Sequence, residues 1–424
     1  MAAKADAIQA RRATGFARKD LLMTAGIVVV GAVLFFFGRY GADPGETAAF
    51  TDQELGRLFS LPSQATLYAL AGLALLFGGL RLFRSLGSLR SVLGWGLAAA
   101  VVFAFLVWVT SGTSLNLSGM LQDTLKLATP LVLGAMAGIF CERSGIINIA
   151  IEGMMLTAAF SAACFASIFD SLWMGILVGV ISGGLMALLH AWLSIKYKVD
   201  QIISGTVINI LAAGATRFLN VRLADPAGMS APGKFDPIAI PVLSKIPVLG
   251  PILFNQQPTV YLMLILLVVV QFVIFSTPWG LRMRACGEHP RAADTVGVNV
   301  NRMRYLGVIL GGMIAGIGGA YFSIGEVGSF EDGMTRGAGF IALAAMIFGK
   351  WNPVGAFGAA LLFGFADALQ VKMQSIEPLL PFANVPIPPE FLQMTPYILT
   401  IFVLAGAIGS AIGPAAEGKP YEKQ

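Results

Sequence analysis

Residues 141–155 read CERSGIINIAIEGMM, and they place two glutamates, an arginine and an asparagine inside a chain that is otherwise strongly apolar. Charged side chains within a bilayer are costly, and they are kept where they serve a site or a pathway. Hydrophobic residues make up 56% of the 424 residues and charged residues 12%, against about a quarter charged in soluble domains. The mean hydropathy is +0.78. The composition therefore predicts an all-α protein that crosses a membrane many times.

Apolar stretches long enough to cross a bilayer, about 17–25 residues each, recur along the whole chain. They lie at 21–37, 65–80, 92–112, 119–140, 147–168, 172–194, 201–221, 259–277, 303–324, 338–349, 354–373 and 394–412. Stretch 338–349 is short, so it is either a tilted half-helix or one arm of a re-entrant pair with 354–373. We expect a polytopic transmembrane helical bundle of 10–12 spans with broken helices.

The basic residues indicate the orientation of these spans. Most of the 28 Lys and Arg residues fall in alternate loops if the N-terminus lies inside, as the positive-inside rule requires. Both termini are then cytoplasmic. Because the basic residues lie in short loops between apolar runs and form no single patch, we expect membrane lipid around the protein and no nucleic acid partner.

The chain lacks the residue patterns that membrane enzymes need. Three cysteines and two histidines are too few and too scattered for a metal site or a disulfide framework. No GxxxxGK[ST] phosphate loop, HExxH or GxSxG motif occurs. We therefore expect no catalytic residue, no metal ligand and no cofactor in this chain.

The largest inner loop, 279–305, predicts a short capped helix. Pro290 suits a first helical position, Gly287 can break the chain before it, and Gly297 can end the helix after about Val296. The loop is either a solvated basic segment or a knob that fits a cytoplasmic partner. Two proline-rich outer loops, 223–258 and 374–393, are likewise either rigid connections or a docking surface for an external protein.

The opening stretch has two interpretations. If residues 144–152 are helical, Ser144, Asn148 and Glu152 follow one face at a spacing of four. In the simpler interpretation, the charged residues before them occupy a short inner loop. In the sharper one, a helix breaks at Gly145 inside the bundle and its polar groups line a cavity, as in transporters with discontinuous helices. Asn209 is a further intramembrane polar candidate.

At this point the sequence resembles a known family. ERSGIINIAIEGMML at 142–156, GLRMRACGEHPRAADTVGVNVNRMR at 280–304 and GAGFIALAAMIFGKWNPVGAFGAALLFG at 337–364 resemble, in this order, motifs of bacterial ABC importer permeases. These are the inner-membrane permeases for nucleosides and simple sugars, a ribose-type family related to branched-chain amino acid permeases. The first motif looks more like the nucleoside branch than the ribose branch.

The resemblance implies a type II ABC importer-like fold with three parts. Residues 1–118 would add N-terminal transmembrane spans, 119–412 would form the permease domain, and 413–424 would be a cytoplasmic tail. The protein would reside in the bacterial inner membrane, be no enzyme itself, and import a small polar solute by alternating access. Its partners would be a cytoplasmic ABC ATPase, a homologous second permease forming a heterodimer, and an extracytoplasmic substrate-binding protein.

Specific residues follow from the resemblance as hypotheses. The substrate path would include Ser144, Asn148, Glu152 and Asn209, and Glu142 and Arg143 would form a charge pair that holds the helix break together. ATPase coupling would rest on the cytoplasmic coupling helix, with Gly287, Glu288, His289, Pro290, Arg291 and Asp294.

Two other classes of protein fit parts of the sequence. An ion-coupled secondary transporter would use an intramembrane acid such as Glu152 as its titrating group, but it has no need of a cytoplasmic coupling helix. A scaffolding membrane subunit would not need the charged core.

Overall fold

The computed structural model describes residues 24–52, 56–80, 89–376, 388–394 and 411–422. Contacts divide the chain into two units, which are described separately. The first comprises residues 1–119 with 369–394, and the second comprises 120–368 with 395–424. The predicted boundaries of the N-terminal spans and the permease domain stay predictions.

The first unit combines helices with a small sheet. Its elements are α1 (Thr24–Tyr40), β1 (Thr47–Asp52), β2 (Gly56–Pro62), α2 (Ser63–Leu80), α3 (Leu89–Val109), β3 (Ser114–Asn116) and α15 (Pro389–Gln393). The strand order is β2-β1-β3, with β1 antiparallel to β2 and parallel to β3. Phe50 of β1 is buried, and its ring centroid lies 4.9 Å from that of Phe59. This sheet was not predicted from the sequence, where its strands lie between two apolar runs.

The second unit is a helical bundle with short connecting elements. Its helices are α4 (Leu117–Arg143), α5 (Ile151–Ile168), α6 (Leu172–Ala191), α7 (Gln201–Leu219), α8 (Leu249–Phe254), α9 (Pro258–Ser276), α10 (Pro278–Glu288), α11 (Pro290–Thr295), α12 (Val300–Ala320), α13 (Ala338–Phe348) and α14 (Pro353–Ile376). Wider π turns extend α6, α7 and α12 at Trp192–Lys196, Asn220–Ala224 and Tyr321–Val327. Strands β4 (Ile238–Ala239) and β5 (Asn255–Gln256) pair in the loop between α7 and α9.

Seven helices in the described part of the chain are long and apolar enough to cross a membrane. They are Leu117–Arg143, Ile151–Ile168, Leu172–Lys196, Gln201–Ala224, Pro258–Ser276, Val300–Val327 and Pro353–Gln374. Shorter apolar helices add Thr24–Tyr40, Ser63–Gly79, Ala99–Val109 and Ala338–Phe348. The predicted all-α polytopic bundle is thereby confirmed. The exact span count stays a prediction, because most of the span at 394–412 lies outside the described residues.

Glycines bring α6 and α12 into close contact. A Cβ added at Gly183 would lie 2.8 Å from the Cα of Gly316, and one at Gly316 would lie 3.0 Å from the Cα of Val180. Small residues at spacing four allow backbones in a bilayer to approach in this way. On α6, Gly179 and Gly183 both face α12 at this spacing. On α12, Gly311 faces α4 instead, where its Cβ would lie 2.6 Å from the carbonyl oxygen of Ala137.

Gly183→Leu should destabilise the bundle, because the new side chain would collide with the backbone of α12. We expect a loss of at least about 1–3 kcal/mol, the usual range for overpacking a core. The measurement is thermal unfolding of the detergent-purified protein. Gly214→Leu on α7 is the matched control, since nothing lies within 4 Å of a Cβ at Gly214. Equal unfolding temperatures for the two variants would contradict the close α6–α12 contact.

Candidate functional site

The helix break predicted near Gly145 is present, and it separates α4 from α5. Residues 144–150 are not helical, and Gly145 has a φ of 95°. A Cβ at Gly145 would lie 2.9 Å from the guanidinium Nη2 of Arg304, so a side chain there would also collide. The condition of a helix over 144–152 is therefore not met. Ser144, Asn148 and Glu152 share a segment but do not share a helix face.

The break runs alongside α13 inside the bundle. Just before the break, Arg143 Nε donates a 3.2 Å hydrogen bond to the carbonyl of Trp351, which follows the C-terminal end of α13. Just after the break, Glu152 binds the N-terminus of α13. An α-helix rises about 1.5 Å per residue, so the 11 residues of α13 separate these two points by roughly 16 Å. The segment between them is irregular and contains turns at 144–145 and 149–150, and Ile151, the first residue of α5, is fully buried.

Side chains of neighbouring helices satisfy the backbone of the break. Ile147 N–H donates to Gln201 Oε1 at 2.7 Å, and His190 Nε2 lies 2.9 Å from the carbonyl oxygen of Ile147. The other ring nitrogen of His190 lies 3.1 Å from Ser204 Oγ. Both His190 and Gln201 are buried. Irregular backbone at membrane depth is tolerated where protein groups bind it in this manner.

Asn209 of α7 bridges both sides of the end of the break. Its Nδ2 donates to the carbonyl of Ile149 at 2.9 Å, and its Oδ1 accepts from the N–H of Gly153 at 2.8 Å. The side chain is half-buried. Asn209, which the sequence predicts to line the substrate path, therefore positions the first turn of α5 through these two hydrogen bonds.

Asn148 and Ser144 are fully buried, and their polar atoms turn toward the protein. Asn148 Nδ2 lies 3.2 Å from Cys141 Sγ, and its Oδ1 accepts from the N–H of Ala150 at 3.1 Å. Ser144 Oγ donates to the carbonyl of Cys141 at 2.7 Å. These contacts shape the break. A direct role for either residue in the substrate path stays a prediction.

Glu152 binds the N-terminus of α13 with both carboxylate oxygens. Oε1 accepts from Thr335 Oγ1 at 2.6 Å and from the N–H of Gly337 at 2.9 Å, while Oε2 accepts from the N–H of Gly339 at 2.7 Å. The first N–H groups of a helix have no partner within the helix, and they carry its positive dipole end. The half-buried carboxylate therefore joins the starts of two helices, α5 and α13.

Glu142 and Arg143 do not form the predicted charge pair. Within the described residues, each binds the turn after α13 instead. Glu142 accepts from Trp351 Nε1 at 2.5 Å, and Arg143 donates to the carbonyls of Trp351 and Lys350. The nearest acid to Arg143 is Glu288, at 3.9 Å. Adjacent side chains on a helix point in different directions, so the two residues hold the break through separate partners.

The predicted short helix follows α10, and the end of α10 contacts Arg143 just before the break. The N-cap residue of this short helix, His289, makes no side-chain hydrogen bond to the helix. Helix α11 starts at Pro290 and ends at Thr295, with Gly297 at a φ of 85°. A Cβ at Gly287 would lie 2.9 Å from the carbonyl carbon of Arg143, so only glycine permits this contact. Glu288, His289 and Arg291 are exposed, and Asp294 is half-buried.

Four residues that hold this site were not singled out by sequence reasoning. His190 was considered only as a metal ligand, and Gln201, Trp351 and Thr335 were not considered. A signal for His190 existed, because a polar residue inside an apolar helix is a functional or structural suspect. No spacing rule pairs it with Ile147, which lies 43 positions earlier.

Comparisons with known proteins place the site in context. The family described as "Branched-chain amino acid transport system / permease component" matches residues 120–414. The guanosine ABC transporter permease NupQ of Bacillus subtilis is 43% identical over 315 residues, covering 72% of this chain and 97% of that protein. The nucleoside ABC transporter permease NupC of Lactococcus lactis is 40% identical over 311 residues, covering 72% and 96%.

Two further relatives bear on substrate and partner. A putative glucose ABC transporter permease of Haloferax volcanii, TsgC13, is 36% identical over 302 residues. The match covers 69% of this chain and 92% of TsgC13. A second B. subtilis guanosine permease, NupP, is 24% identical over 290 residues, covering 64% and 81%. No solved structure matches the chain.

Asn209→Ala should lower the stability of the protein, because it leaves the N–H of Gly153 and the carbonyl of Ile149 without their partner. Each buried group left unpaired costs about 1–3 kcal/mol. Thermal unfolding in detergent measures the loss. Thr206→Ala, one turn earlier, is the control, since Thr206 binds only the carbonyl of Ile202 in its own helix. An Asn209→Ala variant as stable as Thr206→Ala would show that the hydrogen bonds of Asn209 to Ile149 and Gly153 are dispensable for stability.

Proposed function

The chain belongs to the family of permease components of branched-chain amino acid transport systems, and from this membership we propose that it imports nucleosides as one permease subunit of an ATP-driven transporter. The observation that carries the proposal is the match over residues 120–414, which contain the helix break. As a permease of an ABC transporter and a multi-pass membrane protein, it contributes the membrane passage. Hydrolysis of ATP belongs to a separate subunit.

The geometry of the break supports a transport role. Discontinuous helices in transporters place helix ends and freed backbone groups around a central site. Here α5 begins at Ile151 and α13 begins at Ala338, and Glu152 joins the two starts. We propose that the substrate passes near this junction, with Glu152 and Asn209 closest to it.

The substrate class rests on polarity and on relatives. The relative at 43% identity is named for guanosine transport and the one at 40% for nucleoside transport. A third relative, at 36% identity, is named as a putative glucose transporter permease. Nucleosides and sugars are uncharged and rich in hydroxyl groups, so amide and hydroxyl groups can bind them without a free charge. The nucleoside is the primary proposal and the sugar is the second candidate.

Three partners complete the transporter in this proposal. A cytoplasmic ABC ATPase would bind the α10–α11 region, where Glu288, His289 and Arg291 are exposed. A second, homologous permease would form the other half of the passage, because B. subtilis holds two related guanosine permeases of this kind. The inner membrane and the cytoplasmic termini follow from this arrangement.

An extracytoplasmic substrate-binding protein would dock on the loop between α7 and α9. This loop is ordered around the β4–β5 pair, where Tyr261 donates its hydroxyl to the carbonyl of Ile238 at 2.8 Å. Val242 in the same loop is 78% exposed, and Ile238 and Leu249 are exposed beside it in the sequence. Grouped exposed apolar residues of this kind mark contact surfaces. Most of the second proline-rich loop, 374–393, lies outside the described residues.

Uptake in proteoliposomes tests the function directly. The vesicles would hold this chain, its companion permease, the ATPase and the binding protein, with ATP inside and a protonophore present. We expect accumulation of labelled nucleoside that requires ATP and persists with the protonophore. Uptake by this chain alone, abolished by the protonophore, would instead establish an ion-coupled carrier. Accumulation of glucose without nucleoside would favour the second substrate.

Glu152→Ala should reduce ATP-dependent uptake at least about tenfold. Raising the barrier of the rate-limiting transport step by about 1.4 kcal/mol lowers its rate by that factor. The physical reason is that Thr335, Gly337 and Gly339 lose their shared acceptor and the starts of α5 and α13 separate. Asp123→Ala, at the far end of α4, serves as a control for loss of an acid. Unchanged uptake, folding and expression in Glu152→Ala would remove Glu152 from the proposed path.

A further inference from the structure

The C-terminal strap, defined as residues 411–422, lies across the ends of several helices of the second unit. It contains no α-helix or strand, and Pro414 and Pro420 restrict its backbone. Its described contacts reach α4, α10, α12 and Lys198, which lies between α6 and α7. Nothing in the proposed transport function accounts for this segment.

The strap binds the end of helix α10 through its backbone. The N–H of Ala416 donates to the carbonyl of Gly287 at 2.9 Å, and the N–H of Ala415 donates to Glu288 Oε2 at 3.2 Å. Between the strap and the α10–α11 pair lies a cleft of about 690 Å³. Any displacement of α10 relative to the bundle therefore acts on Ala416.

The residues that follow Ala416 contact the helix break. The carboxyl group of Glu417 lies next to that of Glu142, the last acidic residue before the break. Burial raises the pKa of Glu417. Gly418, at a φ of 75°, lies so close to the break that a Cβ there would be 2.9 Å from Ile147 Cδ1. The strap thus joins α10 to both ends of the turn between α4 and Ile147.

Arg304 adds a second connection beneath the break. Its side chain is 2% exposed, and its Nη1 donates to the carbonyl of Lys419 at 3.0 Å. Its Nη2 lies 2.9 Å from the position that a Cβ of Gly145 would take, and its Nε and Nη2 have no hydrogen-bond partner among the described residues. A buried guanidinium in this position keeps the strap and Gly145 at a fixed separation.

We propose that the C-terminal strap transmits movement of the α10–α11 coupling region to the helix break at 144–150. The inference rests on the proposed transport function and concerns a positioning role. Among the described residues, α10 meets the end of α4 through Gly287 against Arg143 and through the long Arg143–Glu288 pair, which is partly exposed and so contributes little. The strap supplies a second route between the same two regions, which is hydrogen-bonded and partly buried.

The test compares import with ATP hydrolysis in the complete transporter. In Glu417→Ala, Glu142 keeps its bond to Trp351 and loses a neighbouring acid, so the fold should persist. We expect ATPase co-purification and ATP hydrolysis within about twofold of wild type, while substrate imported per ATP falls at least about tenfold, equivalent to about 1.4 kcal/mol. Glu417→Gln, which can still donate to Glu142, should restore the ratio.

Glu422→Ala is the matched control in the same segment. Glu422 pairs with Lys198 at an exposed position, where an ion pair contributes little, so its import-to-ATP ratio should equal that of wild type. Ala416→Pro, which removes the N–H that binds Gly287, should reproduce the loss seen in Glu417→Ala by an independent change.

Three results would overturn the proposal. An unchanged ratio in Glu417→Ala and Ala416→Pro would show that the strap transmits nothing. Loss of the ATPase or of folded complex in both variants would make the strap a docking or structural element. An equal loss in Glu422→Ala would remove the specificity for the contact with the break. Failure of the transport function itself is distinguishable, because the wild-type complex would then show no ATP-dependent import.

Discussion

A helix that stops within a bilayer leaves backbone N–H and C=O groups with no water to bind, and each of these groups must find a protein partner. This requirement governs the region between Arg143 and Ile151. His190 and Gln201 bind the middle of the break, and Asn209 binds its end. Most of the polar side chains in this part of the bundle are therefore committed to backbone groups.

The same requirement connects distant parts of the sequence. The backbone of the break takes its hydrogen-bond partners from α6 and α7. The two residues before it, Glu142 and Arg143, bind Trp351 in the turn after α13. Glycines allow the helices to come close enough for these bonds, as at Gly287 against Arg143. The break, helix α13 and the α10–α11 region are thus connected by direct contacts. Displacement of one of them would break hydrogen bonds or create collisions in the others.

Local features of this arrangement were predictable from the sequence, and long-range partners were not. Pro290 and Gly297 mark a short helix because their backbone preferences are local, and the short apolar run at 338–349 predicted a short helical segment in the same way. The helical face proposed for 144–152 failed, because Gly145 adopts a conformation that ends the helix. The pairing of His190 with Ile147 depends on the packing of α6 against the break, which no local pattern encodes. The β1–β2 pair was hidden within a loop between two apolar runs.

The position of Glu152 has a consequence for the energetics of solute movement. Its carboxyl group accepts hydrogen bonds from three donors, among them the N–H groups at the start of α13, and the two oxygens of such a group offer about four acceptor sites. A hydroxyl group of a solute that reached Glu152 would therefore displace one of these donors or occupy the site that is left. Such an exchange replaces one hydrogen bond by another, so the net free energy of binding at this junction would be small.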